Sequence, residues 1–197
     1  AMGVGFLAYI ARAIGEKNEE KIKKAAGQTV LVTLITGSIL MIITLGIAPF
    51  MPVWMGADEA IRHDAAVYFI WINLPMVFRA ATIIFGAAIR STGDTKSPMI
   101  VNLIVNVVNI VFNYILIYPC GMGAVGAGIS SAISFVIGGM LMTIVLFRNQ
   151  TLQIERKNIR LNRTVLAPIM AIGVPVMCNR IMSCSGYVVA TSFVSSM

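Results

Sequence analysis

The sequence predicts an all-α fold, a polytopic bundle of transmembrane helices. Of its 197 residues 58% are hydrophobic and only 12% are charged, and its mean hydropathy is +0.87, values that are unusual for a soluble domain of this length. Several apolar runs reach about 20 residues, the length that a helix needs to cross a hydrocarbon core about 30 Å thick. These runs lack the alternating pattern of membrane β-strands.

Six apolar segments, spans A to F, follow one another along the chain. Span A (1–14) is too short to cross a bilayer, and we interpret it as the second half of a helix whose start lies outside this chain. Prolines mark several boundaries, since proline is tolerated in a first helical turn and disrupts a helix interior. The other spans are B (29–55, ending at Pro49 and Pro52), C (65–89, containing Pro75), D (98–119, opened by Pro98 and closed by Pro119), E (124–147) and F (165–194, interrupted by Gly173 and Pro175).

The formal net charge of +7 could suggest a nucleic-acid partner, but the distribution of the basic residues argues against one. Most Lys and Arg residues lie in three alternate connections, 15–28, 90–97 and 148–164, whereas the B–C and D–E connections contain only Arg62. The positive-inside rule therefore places the three basic loops in the cytoplasm. We expect a multi-pass protein of the plasma (inner) membrane, with the lipid bilayer as its surroundings.

The connection between spans E and F, RNQTLQIERKNIRLNRTV, is longer and more polar than the others. It is the best candidate for a boundary between two structural units. The alternative is an ordinary charged loop.

Four asparagines form a stripe along span D. Asn102, Asn106, Asn109 and Asn113 are spaced by 4, 3 and 4 residues, which places them on one face of a helix. Amides that faced lipid would lack partners, so the stripe must face protein or water. The amides could hold helices together, or they could line a hydrated cavity and offer carbonyl oxygens to a cation or to a protonated carboxylate.

Two arginines, Arg79 in span C and Arg180 in span F, lie inside apolar spans, where a charge usually faces a cavity or a partner. All eight acids belong to loops or helix ends. Arg79 could therefore snorkel towards the interface, or its counter-charge lies on a helix outside this chain. The single His63 and the scattered cysteines form no catalytic, disulfide or metal-ligand pattern, which argues against an enzyme.

Three consecutive motifs, IRSTGDTKSPM, NVVNIVFNYILIY and GMGAVGAGISSAIS, occupy residues 89–134. Together they resemble the multidrug and toxic compound extrusion (MATE) transporters. More loosely, GVGFLAYIARAIGEKN is similar to the family's second helix and APIMAIGVPVM to the start of its seventh. The family has twelve helices in two lobes. The resemblance therefore implies a partial N-terminal lobe of helices two to six (1–147), a cytoplasmic inter-lobe linker (148–164) and the start of the C-terminal lobe with helix seven (165–197).

The resemblance also implies site residues. Asn109 and Asn113 match a polar pair on the family's fifth helix, and Ser131 matches a hydroxyl on the sixth, where Thr is common. In the family these groups cluster with an acid of the first helix, which takes H⁺ or Na⁺, so Asn109 and Asn113 are candidate Na⁺ ligands. Tyr68 occupies a plausible fourth position, and Asn102, Asn106, Arg79 and Arg180 are candidate cavity residues.

Two positions depart from the family pattern. Ser183 lies near the place of an acid that one branch carries on helix seven, and span F contains no acid. Arg12 stands where we expect Gln in the second helix.

The implied function is a secondary active transporter that exports organic, often cationic, drug-like compounds in exchange for H⁺ or Na⁺ and needs no other cofactor. Two lobes would rock to expose the cavity alternately to each side, with Pro75, Gly173 and Pro175 as hinges. One alternative is a lipid-linked saccharide flippase of the same superfamily, which a basic cavity around Arg79 and Arg180 would favour. The other alternative is a membrane scaffold subunit that does not transport.

Overall fold

The computed structural model describes residues 2–54, 59–154 and 163–195, and every regular element in these ranges is an α-helix. The helices are α1 (Met2–Gly15), α2 (Glu19–Ile47), α3 (Met51–Trp54), α4 (Glu59–Asn73), α5 (Met76–Ser91), α6 (Lys96–Ile117), α7 (Gly123–Arg148) and α8 (Arg163–Ser195).

Four of these helices are long and apolar enough to cross a membrane: α2, α6, α7 and the Thr164–Ser185 part of α8. Helices α4 and α5 together make a fifth candidate span, and α1 is a shorter apolar helix. The predicted all-α membrane bundle is therefore confirmed.

Span C is two helices that meet at Pro75. The axes of α4 and α5 differ by 43°, and Pro75 is the residue that precedes the first turn of α5. Because proline has no N–H and its ring crowds the preceding turn, the helical hydrogen-bond ladder stops there. The bend lies where Pro75 was predicted to permit bending; that it acts as a hinge stays a prediction.

The loop predicted at 15–28 was too long, because α2 begins at Glu19. Asn18 caps this helix: its side-chain oxygen accepts a hydrogen bond from the Lys21 N–H at 3.1 Å. Lys21 and Lys24 therefore lie on the first turns of a helix, which hydropathy alone could not distinguish from a loop. For the same reason the 90–97 connection shortens to residues 92–95.

Two further span boundaries were wrong. The apolar run 29–55 does not form one helix, since α2 ends at Ile47 and the short helix α3 follows. Span F is not interrupted at Gly173 and Pro175, because α8 continues through both positions. A proline removes one backbone hydrogen bond, a loss that membrane helices tolerate when neighbouring groups satisfy the freed carbonyl.

Helix α7 lies at the centre of the bundle and packs against α4, α5 and α6. Its glycines permit the close approach: a Cβ added at Gly126 would lie 3.1 Å from Leu116 of α6, and one at Gly139 would lie 2.8 Å from the Phe78 backbone of α5. Helix α6 packs chiefly on α7, at the edge of the described bundle. Within the described residues, the amides of α6 therefore meet protein chiefly where they face α7.

Candidate functional site

Two asparagines of α6 and two serines of α7 form one hydrogen-bonded group, which we call the amide–hydroxyl cluster (Asn109, Asn113, Ser130 and Ser131). The Asn109 Nδ2 atom donates to Ser130 Oγ and to Ser131 Oγ, both at 3.4 Å. Ser130 Oγ donates to the Asn109 backbone oxygen at 2.9 Å. Within α6, Asn113 Nδ2 donates to Asn109 Oδ1 at 3.0 Å. The structure thus brings together three residues singled out from the sequence.

The Asn113 Oδ1 atom is buried and has no hydrogen-bond partner among the described residues. Leaving a buried carbonyl oxygen unpaired costs about 1–3 kcal/mol, so such an atom requires an explanation. A carbonyl oxygen is a ligand that hard cations accept, and it also accepts the proton of a carboxylic acid. The cluster therefore presents an open acceptor position at Asn113.

The donor set fits a monovalent cation only in part. Asn113 Oδ1, Ser131 Oγ and Asn109 Oδ1 are neutral oxygens, and the last already accepts a hydrogen bond. No group of three or more His, Cys, Asp or Glu residues that could hold a metal exists in the described ranges. A cation held here would need a further ligand, preferably an anionic one, from another part of the protein.

The stripe of four asparagines divides into two unlike pairs. Asn109 and Asn113 are half-buried against α7, whereas Asn102 and Asn106 are exposed. The Asn106 amide donates to the Asn102 backbone oxygen at 2.9 Å, within its own helix. The structure therefore does not bring Asn102 and Asn106 into the cluster.

Tyr68 packs on α7 close to Gly128, where an added Cβ would lie 3.1 Å from its ring. Its ring also makes an edge contact with Phe69, with centroids 6.2 Å apart. No hydrogen bond in the described part of the chain joins the Tyr68 hydroxyl to the cluster. The structure gives Tyr68 a packing contact with the helix that carries the serines.

Ser130 is the cluster member that sequence reasoning missed. It belongs to a row of small residues four apart, Gly126, Ser130, Ser134 and Gly138, and such a row predicts close helix packing. Its side chain is fully buried, and it both donates to and accepts from Asn109. Its position beside Ser131 could have indicated this role. When two adjacent serines lie on a helix that faces an amide stripe, either hydroxyl can form an interhelical hydrogen bond.

Arg79 and Arg180 line one cavity of about 590 Å³ between α1, α2, α5 and α8. The Arg79 guanidinium lies over the Phe135 ring of α7, 5.2 Å from its centroid. Two of the four residues predicted to line a cavity, Arg79 and Arg180, thus share one, whereas Asn102 and Asn106 do not line it. This cavity is separate from the amide–hydroxyl cluster.

The STGDTKSP segment forms the turn between α5 and α6. Gly93 has a φ of +88°, a conformation that favours glycine. Asp94 accepts hydrogen bonds from the Ser97 N–H at 3.0 Å and from the Ser97 hydroxyl at 2.6 Å. The hydrogen bond from the Ser97 hydroxyl is the main cause that lowers the pKa of Asp94. This segment therefore caps α6.

Arg12, which stands where the family pattern predicts Gln, forms a salt bridge with Glu16. Arg12 Nε lies 3.0 Å from Glu16 Oε1, and Lys21 Nζ lies 2.7 Å from Glu16 Oε2. These hydrogen bonds, first that from Lys21, lower the pKa of Glu16. The three side chains border a cavity of about 320 Å³ beside the start of α8.

The remaining predicted residues are unremarkable in their surroundings. His63 is exposed, as are the three cysteines. Ser183 is exposed and donates to the Asn179 backbone oxygen of its own helix. No acid lies beside it in the described part of α8.

Comparison with known proteins identifies the family. The family model MatE matches residues 1–115, more than half of the chain. The chain belongs to the MatE family. MatE is a family of membrane transporters, and the apolar spans described above agree with a multi-pass membrane protein.

Individual relatives agree with this assignment of the chain to the MatE family. It is 26% identical over 179 residues to a probable multidrug resistance protein NorM of Thermotoga maritima, covering 89% of the chain and 39% of that protein. It is 28% identical over 207 residues to a probable multidrug resistance protein YoeA of Bacillus subtilis, covering 98% and 44% respectively. The chain thus spans about two fifths of the length of these curated relatives.

The fold of this MatE chain is also similar to a solved structure. A multidrug resistance MATE family transporter of the MOP superfamily in an outward-facing conformation matches with a TM-score of 0.87 and 25% identity. The match covers 94% of this chain and 42% of that one.

Proposed function

We propose that this chain is part of a multidrug efflux antiporter, which exports organic, often cationic, compounds in exchange for H⁺ or Na⁺ by alternating access. The MatE family membership and the names of the relatives support the efflux part of this proposal. The amide–hydroxyl cluster, with its buried unpaired Asn113 oxygen, supports the coupling part.

The cluster would act in coupling by offering oxygens whose occupancy changes. When the site holds Na⁺, Asn113 Oδ1 and Ser131 Oγ would be ligands, and an acid from another part of the protein would supply the negative charge. When the site is protonated instead, that acid would donate a hydrogen bond to Asn113 Oδ1. Either event satisfies the unpaired oxygen, so binding the ion would stabilise one arrangement of the helices around the cluster relative to the other.

The wider arrangement follows from the same proposal. Residues 1–147 would belong to an N-terminal lobe, 148–164 to a cytoplasmic linker and 165–197 to the start of the C-terminal lobe. The protein would lie in the plasma membrane with its basic connections in the cytoplasm. Pro75, at the 43° bend, is the position at which a span could most easily change its angle.

The test is efflux of a fluorescent lipophilic cation from proteoliposomes that contain the full-length protein, under an imposed pH gradient or Na⁺ gradient. Asn109→Ala removes the amide that joins α6 to both serines. Asn102→Ala, the same change in the exposed pair, is the matched control. The proposal predicts gradient-driven efflux that Asn109→Ala abolishes and Asn102→Ala retains, with both variants folded.

Two results would contradict the proposal. Full efflux by Asn109→Ala would show that the cluster only holds α6 and α7 together and has no part in ion coupling. No efflux from the wild type under either gradient would favour a lipid-linked saccharide flippase, the second candidate. The observation that favours this candidate is the cavity that Arg79 and Arg180 share.

A further inference from the structure

The cavity between α1, α2, α5 and α8 contains two positive charges in an otherwise apolar wall. We call it the two-arginine cavity. Arg79 comes from α5 and Arg180 from α8, and the other lining residues are apolar apart from Thr36. The Thr36 hydroxyl donates to the Val32 backbone oxygen of its own helix. Arg79 and Arg180 are therefore the only charged residues that line this cavity in the described part of the chain.

Neither arginine has an acidic partner in the described part of the chain, where the salt bridges involve Arg12, Lys21 and Lys24. Arg79 lies twelve residues before the end of α5, about 18 Å along the helix axis. That depth is well inside a hydrocarbon core about 30 Å thick. Charges at such a depth are costly and require a partner or water.

The contact of Arg79 with Phe135 leaves its N–H groups available. The Arg79 Cζ atom lies 5.2 Å from the Phe135 ring centroid, a cation–π distance, and no hydrogen bond or salt bridge engages the Arg79 guanidinium within the described residues. A guanidinium edge offers paired N–H donors that match the two oxygens of a carboxylate. Arg79 therefore has N–H donors that could bind such an anion.

The rest of the cavity suits an apolar body. Its volume of about 590 Å³ lies within the range of sites that enclose drug-sized molecules. Three methionines, Met2, Met76 and Met177, line it, and their flexible side chains adapt to differently shaped ligands. We infer that the two-arginine cavity binds amphiphilic organic carboxylates, with the carboxylate on the arginines and the apolar part against the methionines.

A membrane phospholipid is a poorer occupant on two grounds. Its headgroup lies at the membrane surface, far from the depth of Arg79. A long acyl chain also exceeds what a cavity of this size encloses. The inference goes beyond the proposed function, because it adds an anionic class of ligand to the often cationic compounds named there. It rests on the proposed function only for the claim that the cavity belongs to a transport pathway, since binding can be measured without transport.

The test measures equilibrium binding to the purified full-length protein in nanodiscs. The probes are dansyl-undecanoate and its methyl ester, which differ in the charge of one group. In the wild type the carboxylate should bind more tightly than the ester. Arg79→Met and Arg180→Met should each raise the Kd of the carboxylate about tenfold and leave that of the ester unchanged. Arg90→Met, an exposed arginine outside the cavity, should change neither.

A second variant tests the location without removing a charge. Ile83 lines the cavity and its side chain is 56% exposed, so Ile83→Trp should fold, fill the cavity and weaken both probes. Equal affinity of wild type for carboxylate and ester would overturn the inference, and so would unchanged binding in Ile83→Trp. A third result would also overturn the inference. If both arginine variants were destabilised and the wild type did not prefer the carboxylate to the ester, the arginines would pair with an acid of the protein itself. Carboxylate binding that depends on the arginines, in a protein without gradient-driven efflux, would reject the proposed function alone.

Discussion

Replacing Ser130 with alanine should destabilise the protein more than the same replacement at the neighbouring Ser131. Ser130 is fully buried, and its hydroxyl both donates to the Asn109 backbone oxygen at 2.9 Å and accepts from the Asn109 amide at 3.4 Å. Ser131 accepts one bond, also at 3.4 Å, which is long for a hydrogen bond.

The expected magnitudes follow from these contacts. One good interhelical hydrogen bond contributes about 0.5–1.5 kcal/mol, so Ser130→Ala should lower the free energy of unfolding by about 1 kcal/mol. The single long bond of Ser131 should contribute less than about 0.5 kcal/mol. Ser134→Ala is the matched control, because the one hydrogen bond of the Ser134 hydroxyl in the described part of the chain goes to the Ser130 backbone oxygen, within α7.

The assay compares unfolding in mixed micelles with gradient-driven efflux for the three variants. Stability should fall most in Ser130→Ala, whereas efflux should fall most in Ser131→Ala, whose half-buried hydroxyl is the proposed ligand. If Ser131→Ala lost as much stability as Ser130→Ala, the hydrogen-bond geometry described here would be wrong. If efflux fell in the same order as stability, Ser131 would have no role beyond packing.

Two further predictions concern packing and pH. Gly139→Ala should lower the free energy of unfolding by about 1–3 kcal/mol, because the added Cβ would lie 2.8 Å from the Phe78 backbone. The control is Gly46→Ala, whose Cβ meets no atom within 4 Å, so its thermal unfolding should match that of the wild type. Asp94 has its pKa lowered by hydrogen bonds from Ser97, so its stabilisation is present above the unfolded pKa of about 4 and is lost as the pH falls through the lower folded value. Asp94→Asn keeps a side chain that can accept these hydrogen bonds but does not titrate. The loss of unfolding free energy at acid pH should therefore be smaller in this variant than in the wild type. An equal loss in both proteins would show that another group is responsible.

The pattern of apolar runs predicted the bundle well, because the length of an apolar run reports directly on whether a helix can cross a bilayer. It located helix starts poorly. The first turns of α2 are polar and lie at the end of a span, so hydropathy assigned them to a loop, although Asn18 followed by Glu19 and Glu20 is a helix-start signal. Pro75 and Pro175 illustrate the other limit, since one lies at a 43° bend and the other inside a continuous helix.

The candidate site was predictable to a similar extent. The spacing of the four asparagines fixed their common face but not the point at which α7 crosses it. That point depends on the glycines of α7 and on where α6 and α7 approach most closely, which separates Asn109 and Asn113 from the exposed pair. The unpaired oxygen of Asn113 depends on the rotamer and on the neighbouring helix, and no sequence pattern reports either.

The most direct test of the central claim is the ion dependence of efflux in Asn113→Ala. The measurement is the concentration of the coupling ion that gives half-maximal efflux by the full-length protein in proteoliposomes, with Asn102→Ala as control. If Asn113 Oδ1 is a ligand, that concentration should rise about tenfold in Asn113→Ala and stay unchanged in Asn102→Ala. An unchanged ion dependence in a folded, transporting Asn113→Ala protein would contradict the account.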